Sequence, residues 1–283
     1  MNKLIITAAV NGGITSRQKN PGVPYTPEEI AQAVYDCWNA GASIAHIHAR
    51  NDDGSPSYSA EVYGEIVQRI RDRCDILINL STSGLNLPAD LPKNEAWNHL
   101  RYRPEIASFN CGSVNHGDKP FINPPALVRE LALDMREYDV KPEIEVYHSG
   151  VINESLLLRN EGFLSGPLYF TFALGIRGGA AATCKNLLHF AESIPEDSIW
   201  TALGIGKDQL PVNLHTILLG GHVRTGMEDN VYYSYKELAR DNAQLVERIA
   251  RFSLETGRQI ASPDEARMML GIKVPQNAAA SVA

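Results

Sequence analysis

Gly41-Ala42-Ser43-Ile44-Ala45-His46-Ile47-His48-Ala49-Arg50 decides how this chain is read. It is a short apolar run that opens after a glycine and ends with two histidines one residue apart. On an extended chain alternate side chains project to the same face, so both imidazoles point one way. A strand buried on both sides ordinarily carries aliphatic groups there, and burying two imidazoles costs free energy unless each finds a hydrogen bond or a metal. Two readings stand at this point: hydrogen-bonded core histidines, or two ligands of a metal centre.

Outward from this run, similar apolar stretches recur at 4–10, 76–81, 106–111, 142–147, 168–174, 199–205 and 222–227, which makes eight candidate strands with 43–49. Helical periodicity fills most of the gaps, at 27–40, 60–73, 125–138, 154–160, 185–193, 211–219 and 236–256. Thr26 stands before Pro27 and three residues before Glu29, a capping box, and Ser262-Pro263-Asp264-Glu265 repeats the device before a last helix. Gly41, Gly162 and Gly257 follow helical segments as stop signals. Eight strands with right-handed helical crossovers close most economically as a single (β/α)8 barrel of the TIM type, an α/β fold whose active site lies at the C-terminal ends of the strands. The open doubly wound sheet is the alternative, but its glycine fingerprint after the first strand is missing. Residues 83–104 are too irregular for a simple connection and are expected to form a long loop with short helices over one barrel face. The barrel domain is expected over residues 1–275, and the Ala-rich tail 276–283 is expected to be disordered.

The bulk numbers admit one large core. The chain has 283 residues, 44% of them hydrophobic and 21% charged, and no apolar run approaches the roughly 20 residues needed to cross a bilayer. Its formal charge of −7 opposes nonspecific association with nucleic acid or anionic membrane. Cys37, Cys74, Cys111 and Cys184 are far apart and form no C-x-x-C pair, so neither a zinc knuckle nor a disulfide framework is indicated. With no cleavage region after the first apolar stretch, a reducing cytoplasm is the expected location.

If the barrel closes, polar residues at strand C-termini meet in one mouth. Two imidazoles and one carboxylate with an open position form a catalytic zinc pattern, and the eighth strand supplies the nearest carboxylate in Glu228, so His46, His48 and Glu228 become the metal set. Asp229 cannot share Glu228's direction on an extended chain and is free to act as a base, with Arg224 as the partner that keeps it ionised. A purely structural Arg224–Asp229 salt bridge is the competing reading. The turns Gly175-Ile176-Arg177-Gly178-Gly179 and Gly204-Ile205-Gly206-Lys207 suit close backbone approach to phosphate or thioester groups, which makes Arg177, Gly178, Gly206 and Lys207 candidate cofactor contacts. His99, His116, His189, His215 and His222 are expected in surface or capping roles, and His148 can face the mouth.

These residues resemble the β-keto acid cleavage enzymes over nearly the whole chain. The resemblance rests on Asn20-Pro21-Gly22-Val23-Pro24-Tyr25-Thr26-Pro27-Glu28-Glu29, His46-Ile47-His48-Ala49-Arg50-Asn51-Asp52-Asp53-Gly54, Ser81-Thr82-Ser83-Gly84, Pro142-Glu143-Ile144-Glu145-Val146 and Gly220-Gly221-His222-Val223-Arg224-Thr225-Gly226-Met227-Glu228-Asp229-Asn230. It implies a zinc-dependent homo-oligomer, expected to be a tetramer, that takes a β-keto acid and acetyl-CoA to acetoacetate and a new acyl-CoA. Family roles would place one zinc per subunit on His46, His48 and Glu228, the base on Asp229 with Arg224 beside it, and substrate contacts on Ser81, Gly84 and Ser108; Thr82, Ser83, where the family has glycine, and Glu143 are further candidate substrate contacts. One departure bears on specificity. Members acting on 3-keto-5-aminohexanoate place a glutamate against the substrate's amino group, and the same position here is Ile14. An aliphatic group cannot pair an ammonium, so a neutral or apolar β-keto acid is the expected substrate. A CoA-independent metal-dependent lyase or hydrolase on the same barrel, and a noncatalytic ligand-binding barrel, are the alternatives.

Overall fold

Eight parallel strands close on themselves in the computed structural model, which describes residues 2–273. The barrel strands are β1 (Ile6–Ala9), β2 (Ile44–Ile47), β3 (Leu77–Leu80), β4 (Ile106–Phe109), β7 (Lys141–Val146), β8 (Tyr169–Leu174), β9 (Ile199–Gly204) and β10 (His222–Thr225), and β10 pairs back onto β1. Two antiparallel hairpins stand outside the barrel: β5 (Val114–His116) with β6 (Lys119–Phe121), and β11 (Tyr232–Ser234) with β12 (Glu237–Leu238). The helices are α1 (Pro27–Asn39), α2 (Ala60–Arg71), α3 (Pro125–Glu137), α4 (Ser149–Asn160), α5 (Cys184–Ser193), α6 (Gln209–Leu218), α7 (Asn242–Glu255) and α8 (Pro263–Leu270). The expected TIM barrel is the observed fold. The tail 276–283 lies outside the described residues, and among the described residues no helix is long and apolar enough to cross a membrane.

The period of two explains why strands this rich in polar residues are all buried. One set of side chains, such as Ile6, Ala8, Ala45, Ile47, Ile78 and Leu80, packs outward under α1, α2 and α7, and Phe109, Ile144, Val146, Phe170 and Phe172 do the same on the opposite side. The other set points inward. At the N-terminal end these are Ile5, Ile44, Leu77, Ile106 and Tyr169, and Ala266 and Leu270 of α8 pack against them, so that α8 plugs the base of the barrel. One step up, the inward layer turns polar: His46, Asn79, Glu143, Thr171, Thr201 and Arg224 are all buried. Polarity therefore rises along the barrel axis toward the mouth.

Thr26 and Ser262 both form the expected capping boxes. Several elements, among them both hairpins, differ from the sequence reading. α7 begins at Asn242, where Asp241 caps it by accepting from Gln244 N, and not at Lys236. Residues 232–238 fold instead into the β11–β12 hairpin, whose turn holds Lys236 at φ 62°. α4 starts at Ser149, a turn and a half before Glu154. The 83–104 stretch carries a 3-10 segment, Lys93–Tyr102, kinked at Trp97.

Candidate active site

β2 brings His46 and His48 to the mouth on one face, and their Nε2 atoms lie 3.3 Å apart. Glu228 reaches the same point from the loop after β10, with Oε2 3.7 Å from His46 Nε2 and Oε1 3.4 Å from His48 Nε2. Gly226 makes that loop possible: its φ is 141°, and a Cβ there would collide with the Ala9 carbonyl. The donor set fits a divalent metal. Nitrogen and oxygen ligands about 2.0–2.1 Å from a tetrahedral ion lie about 3.3–3.4 Å from one another, close to the spacing of these three. Glu228 Oε2 and His46 Nδ1 are also buried without a hydrogen-bond partner. Burial holds the His46 imidazole neutral, its pKa brought down to about 3 against the opposing pull of Glu228, and a neutral ring is the form that binds metal.

Arg224 organises the charge. Its Nε and Nη2 donate to Asp229 Oδ2 and Oδ1, both at 2.9 Å, and Nη2 also donates to Glu228 Oε1 at 2.7 Å. Burial drives Asp229 up to about 6, partly offset by Arg224, which places a basic carboxylate where ordinary aspartates are weak bases. Burial also works to raise Glu228, but Arg224 and the two histidines outweigh it and hold Glu228 well below the usual carboxylate range. The bidentate pair is therefore both an ion pair and part of the cavity wall. His46, His48, Glu228, Asp229 and Arg224 share one open cavity of about 1370 Å³.

The other candidate residues divide. Ile14, Ser81 and Ser83 line this cavity, with Ile14 55% exposed at its rim. Thr82 and Gly84 face a separate cavity of about 320 Å³. Ser108 is buried behind them, where its Oγ accepts from Thr82 N at 3.0 Å and its carbonyl from Thr82 Oγ1 at 2.6 Å. Glu143 sits below His46, with its carboxylate 4.0 Å from His46 Nδ1, and accepts from Asn79 and Thr171, each at 2.6 Å. Burial, reinforced by the charge of Glu145, lifts Glu143 to about 7. Arg177, Gly206 and Lys207 line the cavity; Arg177 is exposed and paired with Asp118 at 2.5 Å. Gly178 packs on the Asn115 carbonyl, away from that wall.

Several residues take places that the sequence reading did not assign them. Glu145 accepts from Asn110 at 2.9 Å and from Tyr147 Oη at 3.1 Å, and its Oε1 lies 3.7 Å from Arg224 Nη1. The alternation Glu143, Glu145, Tyr147 along β7 was the available signal, because all three must share a face. His116 stands at the mouth on β5, edge-on to Tyr147 with centroids 6.2 Å apart, and not in a surface loop. His99 and His222 are buried as well, against expectation. His99 stacks on Tyr63 at 3.9 Å, and His222 Nδ1 accepts from Ile5 N at 3.0 Å. His148 turns toward the Ser113 carbonyl, with its Nε2 3.3 Å away, and not into the cavity.

With this geometry in place, comparison with known proteins is informative. The family model described as beta-keto acid cleavage enzyme matches residues 3–272. This chain belongs to the β-keto acid cleavage enzymes. It is thereby an enzyme of the acyltransferase class, which removes the noncatalytic barrel. It is 42% identical to a 3-keto-5-aminohexanoate cleavage enzyme of Fusobacterium nucleatum subsp. nucleatum, over 96% of this chain and 99% of that one. It is 35% identical to a 3-oxoadipate:acetyl-CoA acetyltransferase of Cupriavidus necator, over 95% and 94%. Among solved structures, apo ObcA superposes with a TM-score of 0.80 at 19% identity, covering 90% of this chain and 66% of that one, a likeness of fold.

Proposed function

We propose that this enzyme condenses a β-keto acid with acetyl-CoA and cleaves the product to acetoacetate and a new acyl-CoA. The observation that carries the reading is the convergence of His46, His48 and Glu228 with an Arg224-clamped Asp229 in one cavity. Relatives named for acetyl-CoA-dependent transfer support it. His46, His48 and Glu228 would hold a zinc ion, which when bound supplies Lewis acidity for the keto acid's oxygens.

Asp229 takes the proton from the methylene between the keto and carboxylate groups, and Arg224 holds the carboxylate aimed while burial keeps it basic. The resulting carbanion attacks the thioester carbonyl and expels coenzyme A as its thiolate. The thiolate then attacks the original keto carbon, the bond from that carbon to the methylene carbon breaks, and Asp229 returns its proton to the departing acetoacetate. Atoms balance without a further reactant. Ser81 and Ser83 offer hydroxyls at the same wall for the substrate's oxygens.

Ile14 at the rim supports a neutral or apolar chain on the substrate, because an ammonium there would find no counter-charge on that side chain. The test is a panel of cationic, neutral and anionic β-keto acids with acetyl-CoA and zinc-loaded enzyme, read by mass spectrometry. Acetoacetate with the matching acyl-CoA from neutral acids is the expected result. Better turnover of 3-keto-5-aminohexanoate than of simple 3-oxoalkanoates sinks the substrate reading, and cleavage without acetyl-CoA moves the assignment to a CoA-independent lyase or hydrolase.

A further inference from the structure

Five arginines are almost wholly buried: Arg50, Arg224, Arg248, Arg258 and Arg267. A guanidinium taken out of water needs carboxylates or a full set of carbonyls. Four of the five have them. Arg224 is paired with Asp229 and Glu228, and Arg267 with Asp264 at 3.0 Å. Arg50 donates to the carbonyls of Gly12, Thr15 and Gly54, and Arg258 to those of Asn2, Lys3, Ile217, Gly220 and Gly221. Arg248, on α7, is the exception. Among the described residues it donates only to the Tyr233 carbonyl, lies over the Tyr233 ring at 4.5 Å, leaves Nε without a partner and has no carboxylate within 4.0 Å. Its own helix adds a repelling charge in Arg251.

Arg248 lies on the wall of the active-site cavity, which Lys207, Leu210, Pro211, Tyr233 and Lys236 also line. These residues come from the segments following β9 and β10, the seventh and eighth barrel strands, where barrels of this type commonly bind phosphate. Asp208, in the same loop as Lys207, turns its carboxylate toward Gly175. Among the described residues, Lys207, Lys236 and Arg248 have no carboxylate within 4.0 Å, whereas Arg177 is paired with Asp118.

We propose that Arg248, with Lys207 and Lys236 lining the same cavity, binds a phosphate group of the thioester carrier, with the β11–β12 hairpin as the support that holds the guanidinium in place. This rests on the acetyl-CoA reading, and it names the contact that distinguishes coenzyme A from its phosphate-poor fragment. The test is equilibrium binding by calorimetry of coenzyme A and of pantetheine to the full chain and to Arg248→Gln, Arg248→Lys and Lys236→Gln. Arg248→Gln is expected to weaken coenzyme A binding about tenfold, the loss of one charge-assisted contact, and to leave pantetheine binding unchanged. Arg248→Lys should recover part of the loss, and Lys236→Gln should cost about threefold for coenzyme A alone. With the unaltered chain, inorganic pyrophosphate should displace coenzyme A but not pantetheine.

Equal coenzyme A affinity in Arg248→Gln, a parallel loss for both ligands, or pyrophosphate without effect overturns the proposal; a parallel loss would mean that Arg248 only anchors the hairpin. The proposed reaction is judged separately. Arg248-dependent coenzyme A binding without acetoacetate formation upholds the subsite and removes the reaction, whereas acetoacetate formation with Arg248→Gln binding undiminished does the reverse.

Discussion

Arg224 is a single buried cation approached by three carboxylates, Asp229, Glu228 and Glu145, themselves largely buried. Removing it strands them, so Arg224→Met is expected to cost about 3–5 kcal/mol of stability in urea titrations of the metal-free protein. Asp229→Asn keeps the shape and removes the base. It should lower kcat by about 10²–10⁴-fold while the metal content by atomic absorption stays at the wild-type level, and parallel loss of metal would mean Asp229 is needed to build the site. His46 and His48 were legible in the sequence because the strand period puts i and i+2 on one face, and Glu228 and Asp229 because a charged pair follows an apolar strand. Glu145 stands out only through the alternation along β7, its approach to Arg224 lying 79 residues away along the chain, and Arg248 was not legible, since its meaning lies in Tyr233, 15 residues back, and in the lack of a carboxylate partner.

At the scale of elements, the turn after β10 bears most on the site. Gly226→Ala would force a Cβ against the Ala9 backbone at a φ that L-residues avoid, and the turn would have to move Glu228 with it. The expected result is reduced metal content with an unchanged far-ultraviolet circular dichroism spectrum, and full metal retention would show that the turn relaxes without shifting its ligand. Thr26→Ala, at the start of α1, removes a capping box and should cost about 0.5–2 kcal/mol with turnover per folded molecule intact. The strands could be read within a residue or two because apolar runs bounded by turn residues leave little choice of register. The hairpins could not. Tyr232-Tyr233-Ser234 sits next to Lys236 and Leu238, whose spacing continues the apolar stripe of α7, so the helical period runs on past the point where Asp241 caps the helix.

For the whole molecule, two buried histidines outside the site contribute a pH dependence of stability. Burial brings His99 and His222 down to about 3, against an ordinary value near 6.5, so both rings are neutral in the folded protein and take up protons on unfolding. At these two positions the unfolded chain binds more protons between those two values, so their contribution to stability is intact above about pH 6.5 and falls toward pH 3, by up to about 1.4 kcal/mol per pH unit for each ring, while Glu143 and Asp229, lifted to about 7 and about 6 in the folded protein, work in the opposite direction. Urea midpoints at pH 7 and pH 5 measure the slope, and His99→Phe should flatten it by one proton; an unchanged slope would mean that His99 gains solvent or a partner on protonation. The base of the barrel points to a practical use. Leu4 N donates to Gln259 O at 2.7 Å, Ala261 N donates to Leu4 O at 2.8 Å, and α8 then plugs the end of the barrel remote from His46 and Asp229. A surface-coupling group placed on an exposed residue of α8, such as Met268, would orient a tethered molecule with its mouth facing the solution, leaving substrate access unobstructed on an electrode or bead.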